Sequence, residues 1–189
     1  MRISTTALLC AAVVGLTACG TISRDGTASM PVNRDGGPML NQNSAIALAG
    51  WALQDPALTH GNPERAARAI AAEDWLAGQS MLTPDFGVYS PLGEVSWSQL
   101  REQVRTAVGV APDTPSQIVV DRMLAAANAL QAGDAKTAGA QFQPPAFTLG
   151  PDGTLAALGN LPQFPGFSWA FADLRHNEDR TFGGCAGKC

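Results

Sequence analysis

Apolar residues recur at helical spacing in several runs, each fenced by proline, glycine or a capping side chain, and this constrains the fold most. Trp97, Leu100, Val104, Ala107 and Val108 stand at i, i+3, i+7, i+10 and i+11, one face of a 3.6-residue helix. Ser96-x-x-Gln99 resembles a capping box at its start and Gly109 supplies its stop. Residues 82–95, with Pro84, Gly87, Pro91 and Gly93, read as loop. Asn43 or Ser44 starts a helix with Ile46, Ala49 and Leu53 on one side, ending at Asp55-Pro56. Asn62-Pro63-Glu64 starts another, running to about Gln79, with Ala66, Ala69, Ile70, Leu76 and Ala77 as a thin stripe. Glu64 and Arg68 form an i,i+4 pair on it.

Thr114-Pro115-Ser116-Gln117 repeats the start signal before Val120, Met123, Leu124, Ala127 and Leu130. Gly133 ends that helix, and Asp134 caps a further one over Ala135–Phe142, closed by Pro144-Pro145. This αα-hairpin superficially resembles a tetratricopeptide unit through Gly133-Asp134 and Ala138. No second copy lies at a 34-residue period, so a solenoid is rejected. Thr154–Leu158 gives a turn or two of helix and Phe167–Arg175 a last helix; Val88-Tyr89 and Phe147-Thr148-Leu149 are too short to build a sheet. The expected fold is all-α: a small irregular bundle of about five helices with a Pro/aromatic-rich C-terminal cap.

Composition narrows the function. Charged residues are only 15% of the 189 and the net charge is -4, which excludes a basic nucleic-acid-binding surface. Met1-Arg2 precedes an apolar run from Ala7 to Leu16, long enough for about half of a ~30 Å hydrocarbon core. That is a signal-peptide pattern over 1–18, not a membrane span. It ends in Leu16-Thr17-Ala18-Cys19-Gly20. These residues resemble the lipobox of bacterial lipoproteins. The resemblance implies diacylglycerol attached to the Cys19 thiol, cleavage before Cys19 and acylation of the new amino group. It also implies membrane attachment, and Gly20, in place of the inner-membrane signal Asp, favours the periplasmic face of an outer membrane in a diderm source. Residues 19–42, rich in glycine and proline, read as a flexible tether, 43–175 as the helical domain and 176–189 as a tail. The domain is similar to small helical domains of uncharacterised bacterial envelope proteins, a resemblance that carries no activity.

The search for chemistry finds no catalytic motif, cofactor or metal site. The sequence holds no G-x-S-x-G, no G-x-x-x-x-G-K-[ST] and no H-E-x-x-H. His60 reads as a solvated loop histidine, and His176-Asn177-Glu178-Asp179 as the wet end of a helix. Cys185 and Cys189 are candidates for a disulfide in an exported chain, with a redox pair, free thiols and bonds to a partner as alternatives. Phe164, Phe167, Trp169 and Phe171, stiffened by Pro162 and Pro165, form a candidate partner-binding segment that must also cover the thin Ala-rich helices. Trp51, Trp75 and Trp97 are expected in the core or at its edge. The expected function is a non-catalytic, lipid-anchored cell-envelope protein serving protein interaction or structure. The alternative is a module binding an apolar small molecule or lipid inside the bundle.

Overall fold

A computed structural model describes residues 28–32, 39–80 and 91–172. The lipobox with Cys19, the pair Cys185 and Cys189, and His176–Asp179 lie outside the described residues. Within them the fold is all-α. It comprises α1 (Gln42–Leu53), a 3₁₀ turn (Pro56–Leu58), α2 (Pro63–Ser80), α3 (Pro91–Ala107), α4 (Ser116–Gln131), α5 (Ala135–Gly139) and α6 (Gly150–Leu158). Residues 167–172 add a final helical stretch. An isolated antiparallel bridge joins Val110 and Phe147.

Helix α2 occupies the centre, packing against α1, α3, α4 and α6. Ala66, Ala67, Ala69, Ile70, Ala71 and Ala72 are all fully buried, on every side of the helix. A helix with alanine buried on every side belongs inside a bundle, because the small side chains let neighbouring backbones approach closely. The bulk that alanine lacks comes from Trp97, Phe142, Phe147, Met123 and Leu158, each with 0% exposure.

The helix starts differ from the sequence expectation in instructive ways. Asn41, ahead of Asn43 and Ser44, caps α1: its Oδ1 accepts from the Ser44 N–H at 2.9 Å. Helix α3 begins at Pro91, so the Ser96–Gln99 pair falls inside it and residues 91–95 are helix rather than loop. Pro91 is a good first helical residue, and a single Gly93 costs only about 1 kcal/mol, too little to stop the helix. Helix α5 stops at Gly139 instead of Phe142. The chain tightens there into Gln141 N–H to Ala138 O and Phe142 N–H to Gly139 O bonds. That swings Phe142 inward onto the edge of Phe147, ring centroids 5.0 Å apart. Helix α6 starts at Gly150, with Pro151 and Asp152 in its first turn.

The stops of α3 and α4 follow expectation. Gly109 has φ +72° and Gly133 φ +79°. Val110 N–H reaches Arg105 O at 2.9 Å and Gly109 N–H reaches Thr106 O at 3.1 Å; Asp134 and Gly133 repeat the pattern on Ala129 and Leu130. Both are Schellman motifs, which need the left-handed conformation that glycine adopts without strain.

Residues 28–32 correct the expected tether over 19–42. Ala28 and Met30 are 1% and 8% exposed and belong to the core. Ser29 is clasped by Gln117 of α4: its N–H donates to Oε1 at 2.7 Å, and Gln117 Nε2 donates to its carbonyl at 3.1 Å. The chain is therefore already bound to the body at Ala28.

Candidate functional site

The C-terminal aromatic segment is fastened to α1 and α3. Gln163 Nε2 donates to the carbonyl of Gln54, just past α1, at 3.0 Å. Phe167 stacks on Phe171 (4.4 Å, 22°), and Phe171 meets Trp97 of α3 at 4.9 Å. On α1, Gly50 makes room: a Cβ there would lie 3.1 Å from the Phe171 ring. Phe164, Phe167, Ala170 and Phe171 are buried, while Ser168 and Trp169 on the same turn face outward. Trp169 is 76% exposed, the most exposed of the large hydrophobic side chains described. The structure thus separates the predicted binding residues: three phenylalanines are packing, and Trp169 alone presents an open ring.

On its N-terminal side Trp169 has a long uncharged stretch, and the nearest charge in sequence is Asp173. No Asp, Glu, Lys or Arg stands between Asp152 and Asp173, and α1 has none either. Aromatic rings in a region depleted of charge have the composition of an interface centre. Of the other tryptophans, Trp97 is fully buried and Trp75 partly so, as expected. Trp51 differs: it is 46% exposed, with the Arg65 guanidinium 5.0 Å from its ring centre. A cation–π contact replaces core packing there.

Two cavities flank the segment. One of ≈ 600 Å³ lies between Gly50 and Gln54 of α1 and Phe164, Phe167 and Phe171. The other, ≈ 530 Å³, lies between Pro162–Pro165 and Gln103, Thr106 and Ala107 of α3. The Gln103 Oε1 is buried without a hydrogen-bond partner among the described residues.

Sequence reasoning missed a buried charged cluster joining α2, α3 and α4. Asp74, fully buried, takes two bonds from Arg105: Nε to Oδ2 at 2.6 Å and Nη2 to Oδ1 at 2.9 Å. Ser116, first residue of α4, donates to Asp74 Oδ1 at 2.7 Å and accepts from Nη2 of both Arg105 and Arg101. Arg105 Nη1 closes on the Thr114 carbonyl at 2.8 Å, and Arg101 Nε stands 3.5 Å from Asp74 Oδ1. Beside this network Glu73 is fully buried, and neither of its carboxyl oxygens has a hydrogen-bond partner among the described residues. Burial, then the neighbouring Asp74 charge, pushes the Glu73 carboxyl well above the usual glutamate range; Arg101 and Arg105 oppose this only in part. The signal was present: Glu73 falls three residues after Ile70 and four before Ala77, on the apolar stripe.

His60 lies in the turn before α2 and is exposed, as expected. Among the described residues no group of three or more His, Cys, Asp or Glu is placed to hold a metal ion, and no helix is long and apolar enough to cross a membrane. No protein-family model, curated protein or solved structure matches this chain.

Proposed function

We propose that this chain is a lipid-anchored cell-envelope protein, held through Cys19, whose helical body is a non-catalytic module for docking another envelope protein. The periplasmic face of the outer membrane is its place in a diderm cell, since Gly20 follows the anchor. The observation that carries the docking role is Trp169: 76% exposed on a turn whose other aromatics are locked in the core. A large apolar ring held rigidly in water, within an uncharged stretch, is poised to gain from burial in a partner.

The two halves of this reading are tested separately. Cys19→Ser removes the thiol that takes the diacylglycerol, so lipid attachment and the cleavage that depends on it are lost. Metabolic labelling with a fatty acid and the mobility of the chain on gels read both. A variant that is processed normally and stays in the membrane fraction overturns the anchor. For docking, Trp169→Ala removes an exposed ring and changes stability by no more than about 0.5 kcal/mol. In affinity capture from its own envelope, a partner recovered stoichiometrically with the wild type is lost with this variant. Equal recovery overturns docking through Trp169.

The ≈ 600 Å³ cavity beside Phe164, Phe167 and Phe171 supports a second reading, a site for an apolar small molecule or lipid, because its size suits one. Native mass spectrometry separates the two: a ligand that stays bound to Trp169→Ala, without any protein partner for the wild type, favours the cavity.

A further inference from the structure

The chain reaches the body at Ala28, and only residues 20–27 separate that point from Cys19. Fully extended, that span reaches about 30 Å, and as a flexible coil it averages about 17 Å. With Cys19 in the bilayer, the end of the body that receives Ala28 is thus held close to the lipid surface. This is the end where α4 begins, because Gln117 clasps Ser29. Exposed apolar side chains neighbour these residues in sequence. Val32 follows Pro31, whose carbonyl accepts from the Met39 N–H at 2.7 Å, and Ile118 follows Gln117. Val32 is 65% exposed, Met39 40% and Ile118 40%.

We propose that this end of the body rests on the phospholipid bilayer, with Val32, Met39 and Ile118 in contact with it. The inference depends on the Cys19 anchor. Tethering makes it physically reasonable, since a short link turns a contact too weak to hold a free protein into an intramolecular one at effective concentrations in the mM range. The start of the aromatic segment lies at the other end of α2. The Gly61 N–H bonds the Gly159 carbonyl at 2.9 Å, so the aromatic segment leaves α6 beside the N-terminal end of α2. Ala28 lies near Gly78, at the other end of that helix. Helix α2 has 18 residues, about 27 Å at 1.5 Å each. Bilayer contact at the Ala28 end thus leaves the start of the aromatic segment, at Gly159, away from lipid.

The test uses the full acylated chain in phosphatidylcholine vesicles, with acyl chains either plain or brominated to quench nearby tryptophan. Ile118→Trp places a reporter at the proposed contact, and Val32→Trp is a second reporter should the first variant fail to fold. The expected result is that the emission added by the reporter is lost in brominated vesicles, while wild-type emission, which includes Trp169, is unchanged. Reporter emission that survives bromination overturns the proposal although the protein floats with the vesicles. So does wild-type quenching that Trp169→Phe abolishes, which would put the Trp169 face on the lipid. A chain that does not float with vesicles overturns the anchor, and this contact with it.

Discussion

Asp74→Ala is expected to lower the stability of the helical body by about 3–5 kcal/mol, a large part of the ~5–15 kcal/mol that holds a domain together. The alanine keeps the helix and removes the one carboxylate that receives Arg105 bidentately, Ser116 and the Arg101 ion pair. Arg105 and Arg101, 7% and 9% exposed, then stay buried with only Ser116 and the Thr114 carbonyl among these ligands. Burying the arginines without this carboxylate is more unfavourable than having no such pair, so Asp74→Leu with Arg105→Met should recover part of the loss. Thermal unfolding followed by circular dichroism reads the effect as a fall of roughly 10–20 °C for the single variant. A fall within about 2 °C of wild type would show that the network does not fasten α2 to α3 and α4.

That network explains which parts of the molecule were legible. Helix stops were, because a left-handed glycine is a local requirement: Gly109 and Gly133 need nothing distant to end α3 and α4. The start of α3 was not, because Pro91 and Ser96-x-x-Gln99 are both acceptable starts locally and packing chose between them. The end of α5 was likewise set by a tertiary contact, Phe142 turning in against Phe147. Among the aromatics, composition singled out the segment as a whole. Which ring was left outside depended on the register of a single turn, with 167, 170 and 171 inward and 168 and 169 outward. The charged cluster needed partners 31 and 42 residues away in sequence, Arg105 and Ser116 for Asp74. Its only local trace was acidic residues on an apolar stripe, a mismatch that signals a buried site without naming its partners. Ala28 and Met30 illustrate the converse: a Gly/Pro-rich stretch resembled tether throughout, yet two of its apolar side chains found the core.

Glu73→Gln is expected to change the pH dependence of stability, and the sign follows from where the proton sits. The fully buried Glu73 carboxyl lacks hydrogen-bond partners among the described residues; burial first and Asp74 second hold its pKa well above the ordinary value of 4.5, against the partial pull of Arg101 and Arg105. In the unfolded chain the group ionises near 4.5. Between that pH and its higher folded-state pKa, the folded protein holds a proton that the unfolded chain has released. Stability from this group is therefore complete at pH values below 4.5 and declines as pH rises through the window, by about 1.4 kcal/mol per unit, becoming flat once the folded state also ionises. Glutamine has the same shape and no proton to release, so the decline disappears in the variant. Its amide brings new donors into an apolar site at about 1–3 kcal/mol, an offset independent of pH. The slope of the difference between the two proteins is thus the informative quantity, and Glu73→Leu should share it without the amide offset. Urea unfolding at successive pH values above 4.5 measures it, and parallel curves for wild type and both variants would mean that Glu73 is ionised in the core at neutral pH.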